Sequence, residues 1–196
     1  KRGSPTILKM LKSDKHIALT KYDGWSVLIE ITAKSVNFIS RLNNVIKTRK
    51  QIADKIEQLN LPVNTTLWGE WMCRRPDYNG PECIVLFSPI FINGEFVGGQ
   101  PYTERFNWLC NLEIPFDDSS TKDSSKMPDC PLLLPIHNDS DFVGFFEPQK
   151  TLPRSEGMVV YKKDGQFYGN TYNSMDSPDM TKIKYRDGCN GKTIVA

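Results

Sequence analysis

No stretch of the 196-residue chain approaches the ~20 consecutive apolar residues that a membrane-spanning helix needs, and no signal peptide is recognisable. Two histidines, His16 and His137, do not make a zinc site. The five cysteines, Cys73, Cys83, Cys110, Cys130 and Cys189, include no C-x-x-C pair and read as reduced thiols of an intracellular protein. Net charge is also scarce: 25 basic against 23 acidic residues leave +2. Any contact with nucleic acid therefore has to come from local clusters rather than from a field over the whole molecule. Internal repeats and low-complexity tails are missing too. What remains has the length of one domain with a substantial core.

The stretch that organises the chain is Ala18-Leu19-Thr20-Lys21-Tyr22-Asp23-Gly24-Trp25-Ser26-Val27-Leu28-Ile29. Apolar residues lead into Lys21, a carboxylate and a glycine follow at once, and a second apolar run carries the chain away. Alternation and β-branched residues predict two strands meeting at a short turn. A lysine at such a turn, with its stem packed and its amine facing a cleft, can serve as a nucleophile. A free lysine, with a pKa of about 10.4, is protonated at neutral pH, so a nucleophilic one needs neighbouring cations or a metal. For K-x-D-G alone, a Lys-Asp pair on a solvated hairpin is the commoner outcome, and the rest of the chain has to decide.

Ser4-Pro5 and the residues after it predict an N-cap, a proline at the first helical position and one short amphipathic helix. Val36 to Arg41 reads as a strand that ends in the polar loop Leu42-Asn43-Asn44. Val45 to Leu59 has helical spacing, with Ile46, Ile52, Ile56 and Leu59 on one stripe and lysines on a solvated face. Thr65 to Met72 reads as a strand with Glu70 between large apolar neighbours, costly unless the carboxylate is paired or the strand is an edge. Cys83 to Phe87, bounded by Pro81 and Pro89, reads as a buried strand. Asn93-Gly94 turns a hairpin from Phe91-Ile92 into Glu95-Phe96-Val97. A helix is predicted from Pro101 to Leu112, a surface loop from Asp117 to Asp129 and a strand from Leu132 to Ile136. Ser155 to Tyr161 sets a second carboxylate, Glu156, at the mouth of an apolar strand. Thr181 to Tyr185 alternates and sends Lys182 and Lys184 to one strand face. Irregularly interleaved strands and few helices favour α+β with mainly antiparallel sheets.

In order and spacing these stretches resemble the nucleotidyltransferase (adenylation) domain of ATP-dependent DNA ligases, phage-type, in the superfamily that also holds RNA ligases and mRNA capping enzymes. Lys21-Tyr-Asp-Gly resembles the nucleophile motif and Ser40-Arg41 the shorter motif after it. Leu67-Trp-Gly-Glu70-Trp-Met-Cys-Arg74-Arg75 resembles the carboxylate strand. Leu86-Phe87, followed by Asn93-Gly94, Pro101 and Glu104-Arg105, is similar to the aromatic motif with its downstream helix. Glu156-Gly-Met-Val-Val and Lys182-Ile-Lys184 complete the set, which covers nearly the whole chain.

The resemblance implies an ATP-grasp-like α+β fold with the nucleotide in a cleft between antiparallel sheets flanked by helices. It implies that residues 1–196 form the nucleotidyltransferase domain, the OB-fold domain that normally follows being absent from this chain. By the same resemblance Lys21 attacks the α-phosphate of ATP to give lysyl-AMP, and Asp23 orients the nucleophile or a metal-bound water. Lys182 and Lys184 bind the α-phosphate, and Glu156 engages Mg²⁺. Thr20 joins the nucleotide-binding set, Glu70 and Arg41 hold the ribose, and Phe87 stacks on the base. AMP then passes to a 5′-phosphate at a nick in duplex DNA, with Arg74 and Arg75 as DNA contacts, in an intracellular monomer without membrane association. RNA ligase, capping guanylyltransferase and a non-catalytic nucleotide-binding module are the alternatives; the tryptophan-flanked Glu70 strand and the Arg105 helix favour DNA.

Two positions depart from the family pattern. Ser26 stands where DNA ligases usually carry arginine, a phosphate contact that Arg74 or Arg75 can supply. Leu19 stands where many members have an acid that reads the adenine amine, which leaves base choice to main chain and Phe87, with ATP expected and GTP open.

Overall fold

The computed structural model describes residues 8–9, 11–73, 80–117, 130–149, 151–152, 154–167 and 179–184. Most of the predicted N-terminal helix, Arg74, Arg75, Tyr185 and Cys189 lie outside the described residues. In chain order the elements are β1 (His16–Tyr22), β2 (Trp25–Ile31), β3 (Val36–Ser40), α1 (Lys50–Gln58), β4 (Thr65–Met72), β5 (Cys83–Ile92) and β6 (Glu95–Phe96). They continue with α2 (Tyr102–Cys110), β7 (Leu132–Leu133), β8 (His137–Asn138), α3 (Phe142–Gln149), β9 (Ser155–Lys162) and β10 (Met180–Lys184). The strands build a four-stranded sheet, β10-β9-β1-β8, and a six-stranded sheet, β3-β2-β4-β5-β6 with β7 beside β5. Only the short β5–β7 pairing among the named strands is parallel, so the fold is α+β with antiparallel sheets, as expected.

The predicted hairpin at the organising stretch does not form. β1 pairs with β9, whereas β2 pairs with β3 and β4, so Asp23-Gly24 carries the chain from one sheet into the other. An isolated two-stranded ribbon is marginal, and each strand instead finds a long partner in its own sheet. Gly24 permits the crossing, because a Cβ there would meet Glu70 Cγ at 2.6 Å and the Trp71 carbonyl oxygen at 2.7 Å.

The main core lies between the sheets and under α1 and α2, with Leu19, Ile29, Ile52, Ile56, Leu67, Leu86 and Phe106 all buried. A second cluster fills the outer face of the four-stranded sheet, where Phe142 and Phe146 of α3 cover Ala18, Met158, Val160 and Ile183. β1 and β9 are therefore mostly apolar on both faces until the end where Lys21 and Glu156 stand, whereas β10 already carries Lys182 at its centre.

Several elements differ from their predicted form. The helix expected from Val45 begins at Lys50, because Ile46 donates its N–H to the Phe38 carbonyl and Val45 bridges to Ile39, extending the β3 side instead. β5 runs through Pro89 to Ile92; the ladder with β4 shifts register between Thr66 and Leu67 and again between Trp68 and Gly69, which accommodates a residue without an N–H. Asn93 and Gly94 both take positive φ (52° and 80°), as a two-residue hairpin turn requires. Asp117, the first residue of the predicted surface loop, is buried at 3% exposure and accepts the Tyr22 hydroxyl at 2.9 Å; residues 118–129 of that loop lie outside the described residues. Helix α3 has no counterpart in the sequence reading, since Gly144 and Pro148 interrupt its apolar pattern; Asp141 caps it by accepting the Gly144 N–H at 2.8 Å.

Gly157 is the tightest point of the four-stranded sheet. Its φ is +144°, and a Cβ would lie 2.0 Å from the Ile183 carbonyl oxygen of β10. Gly157→Ala is expected to lower stability by about 2–3 kcal/mol through combined strain and overpacking. Chemical denaturation measures this, and an unshifted midpoint would contradict the close β9–β10 approach.

Candidate active site

Register across β1, β9 and β10 stacks three rungs on one face: Lys21–Gly157–Lys184, Leu19–Val159–Lys182 and Ile17–Tyr161–Met180. Alternation puts Ile183 into the core behind α3 and both lysines on the opposite face. Across from this face stand Trp68, Glu70 and Phe87 of the six-stranded sheet, and the two walls line an open cleft.

At the charged end one carboxylate bridges two ammonium groups. Lys21 Nζ donates to Glu156 Oε1, and Lys184 Nζ donates to Glu156 Oε2 at 2.9 Å. Burial pushes the Glu156 carboxyl up, but the hydrogen bonds and charges of Lys21 and Lys184 outweigh it and hold its pKa below the ordinary value. Lys21 is the least exposed of the three side chains, at 14%.

Glu70 is in a different state. It accepts the Gly24 N–H at 3.0 Å and, among the described residues, makes no ion pair. Burial raises its pKa from 4.5 to about 7, against the pull of the Lys21 charge and the Gly24 N–H and with help from Glu156 and Asp23. Below about pH 4.5 the carboxyl is protonated in folded and unfolded chains alike.

Aromatic residues form the body of the cleft. Trp68 meets Phe87 edge-on at 5.3 Å, and its Nε1–H donates to Ser26 Oγ at 3.1 Å. Phe87 is braced from behind by Tyr102, whose hydroxyl donates to its carbonyl at 3.3 Å. Arg105 is buried, donating through Nη1 to Ser88 Oγ and through Nη2 to the Gly165 carbonyl, which fastens α2 to β5 and the turn after β9. A buried ion pair between Arg154 and Asp117, 3.8 Å apart, supports Tyr22 next to Lys21. The Arg154 carbonyl accepts the Asp23 N–H at 2.9 Å, which fixes the crossover turn.

The fold thus brings Lys21, Glu70, Phe87 and Lys182 to the cleft lining, with Glu156 and Lys184 joined to Lys21 at its edge and Asp23 half-buried on the crossover turn. It does not bring every residue named from the sequence. Thr20 turns its hydroxyl to the far side of the sheet, donating to Gln149 Oε1 of α3 at 2.7 Å, so only its backbone side borders the cleft. Arg41 is exposed on the turn after β3 and is not among the lining residues. Arg74 and Arg75 lie outside the described residues. The sequence reading assigned no site role to Trp68, Tyr161 or Met180, because aromatic and apolar residues within strands read as core. Among the described residues no cluster of three His, Cys, Asp or Glu side chains is placed to hold a metal.

Between pH 4.5 and 7 the unfolded chain loses the Glu70 proton before the folded chain does, so this group's contribution to stability falls as pH rises through that window. Glu70→Gln, neutral throughout, is expected to raise stability by about 1–3 kcal/mol at pH 8 and to leave it nearly unchanged at pH 4. Thermal melts at the two pH values check this; equal gains at both would contradict the shifted carboxyl.

No protein-family model matches the chain, and no curated protein matches its sequence. Solved structures do match in three dimensions. A mycobacterial DNA ligase D complexed with ATP and MES superposes with a TM-score of 0.66 at 17% identity, over 91% of this chain and 57% of that one. The ligase domain of M. tuberculosis LigD gives 0.60 at 16% identity, over 89% and 55%. A Lig E DNA ligase, described as binding DNA with a minimal scaffold, gives 0.59 at 17%, over 90% and 64%. The chain therefore spans less than two thirds of the length of each of these proteins. At such identities the likeness is one of fold, and that fold is the nucleotidyltransferase fold of the DNA-ligase ligase domains.

Proposed function

We propose that this chain is the adenylation domain of an ATP-dependent DNA ligase. The observation that carries the reading is Lys21 held beside Glu156 and Lys184 at the end of a cleft whose body is aromatic. In this reading the deprotonated Lys21 amine attacks the α-phosphorus of ATP. A P–N bond forms, the P–O bond to pyrophosphate breaks, and lysyl-AMP results. Lys182 and Lys184, on adjacent rungs, offset the negative charge that grows on the phosphoryl oxygens. Phe87 and Val159 face the base from opposite walls, and Glu70 faces the ribose. Asp23, on the crossover turn, orients the amine. Arg41 receives no role here, given its exposed position.

A single hard carboxylate beside the α-phosphate position suits Mg²⁺, which keeps several waters and takes its other ligands from nucleotide phosphates. Glu156 would hold the ion, which when bound supplies Lewis-acid charge to the phosphoryl oxygens. AMP then moves to the 5′-phosphate of nicked duplex DNA, and the adjacent 3′-hydroxyl displaces it.

Incubation with α-labelled ATP or GTP followed by a denaturing gel tests the chemistry. A covalent band is expected with ATP. Lys21→Ala should abolish it while the melting temperature stays nearly unchanged, and Lys21→Arg should fail as well, since a guanidinium does not deprotonate near neutral pH. Glu156→Ala and Lys184→Ala should each slow adduct formation about 10²–10³-fold. A band that survives in Lys21→Ala would sink the assignment, and a band with GTP alone would transfer the reading to capping enzymes.

DNA binding is tested separately. With +2 net charge, the chain should hold nicked duplex weakly, with few phosphate contacts and so a shallow salt dependence, log K falling by roughly 0.9 per phosphate neutralised. An Arg74→Ala/Arg75→Ala double variant should lose that binding. Tight binding with a steep slope, unaffected in the variant, would place the DNA surface elsewhere.

A further inference from the structure

The cleft contains a polar group for which the proposed reaction has no use. Tyr161, on the third rung, is 8% exposed and lines the cleft. Its hydroxyl has no hydrogen-bond partner among the described residues. It is not one of the polar atoms fully closed off from solvent without a partner, so it opens onto the cleft. Its orientation is not accidental: the ring lies parallel to Tyr102, with centroids 4.2 Å apart and 3° between planes. Tyr102 is also the residue that braces Phe87, so the proposed stacking surface and the unpaired hydroxyl are held by one support.

Position along the strands suggests what the hydroxyl meets. Tyr161 lies four residues from Gly157, roughly 13 Å at strand rise, and two residues past Val159. That is comparable to the reach of a purine nucleotide from its α-phosphorus to the outer edge of its base. On the rung between, Leu19 and Val159 are apolar and Lys182, assigned above to the α-phosphate, is the polar side chain. Burial raises the phenol's pKa well above its ordinary value, with Arg105 opposing and Glu70 adding, so the group stays a neutral O–H. A neutral phenol can donate or accept, whereas an ionised carboxylate can only accept.

We propose that the Tyr161 hydroxyl reads the 6-position of the purine held in this cleft, accepting from a 6-amino group or donating to a 6-oxo group. The inference rests on the nucleotide reading given above. It explains how a chain with leucine two residues before its lysine still recognises a base edge, and it makes recognition depend on a hydrogen-bonding 6-substituent rather than on its sign.

The test is equilibrium binding, without Mg²⁺, of ATP, ITP and purine riboside 5′-triphosphate, which carries only hydrogen at position 6. The unaltered chain should bind ATP and ITP within about threefold of each other and about tenfold more tightly than the 6-hydrogen analogue. Tyr161→Phe, which keeps the ring and its stacking on Tyr102, should weaken ATP and ITP about tenfold and leave the analogue unchanged. Equal weakening of all three, or of none, overturns the role of the hydroxyl. Weakening of ATP alone overturns the two-way reading. If the unaltered chain forms a Lys21 adduct yet binds the three alike, only the Tyr161 proposal falls. If it neither binds nor forms an adduct, the nucleotide reading falls and takes this one with it.

Discussion

One carboxylate held between two ammonium groups sets the arrangement of the site. Glu156 meets both Lys21 and Lys184 only because β1, β9 and β10 share a register in which Lys21, Gly157 and Lys184 form one rung. Gly157 lets the β10 backbone come close enough for this, and the ladder between β1 and β9 becomes irregular directly afterwards, between Lys21 and Tyr22. A partly exposed pair of this kind adds little to stability, since water screens it. Its consequence is positional. Without Glu156 two ammonium groups would face each other across the rung, and neither would have a reason to stay.

The opposite wall depends on the crossing at Asp23-Gly24. Because β1 and β2 enter different sheets, the residue after Lys21 belongs to one wall and Gly24 touches the other through Glu70. The turn is fixed by groups that do not themselves line the cleft: Arg154 and Asp117 under Tyr22, and the Arg154 carbonyl on the Asp23 N–H. A buried ion pair is weak support for stability as such, but removing one partner strands the other charge. Both walls are thus referred to the same short segment, and the cleft width follows from it.

Much of this was legible in the chain, for identifiable reasons. Period-2 alternation put Lys182 and Lys184 on one face, and the misfit of a carboxylate among tryptophans marked Glu70 before any partner was known. Asn93-Gly94 announced its turn through backbone chemistry alone. Alternation carries no information about which strand pairs with which, so the crossover looked like a hairpin. Asp117 sat at the start of a polar run and read as surface, although its partners Tyr22 and Arg154 are 95 and 37 positions away. Thr20 adjoins Lys21 in sequence, but strand geometry sends neighbours to opposite faces, and it serves α3 instead. Tyr161 was hidden in an apolar strand, where only its place in the cleft lining separates it from ordinary core.

The two cleft carboxylates also explain how a nearly neutral molecule presents a cationic site. Glu156 touches two ammonium groups and stays ionised, while burial pushes Glu70 to about 7. Environments that drive two acids apart in this way leave them different tasks. Near neutral pH the cleft therefore balances Lys21, Lys182 and Lys184 against one full and one partial negative charge, with Asp23 on the turn beside them. The surplus is local, at the rung where a phosphate would enter, and low-dielectric walls concentrate its field. The opposite end of the same face is uncharged and aromatic. In the proposed reading, a ligand that is anionic at one end and flat at the other would enter with its anionic end at the Lys21–Gly157–Lys184 rung, an orientation set by strand register.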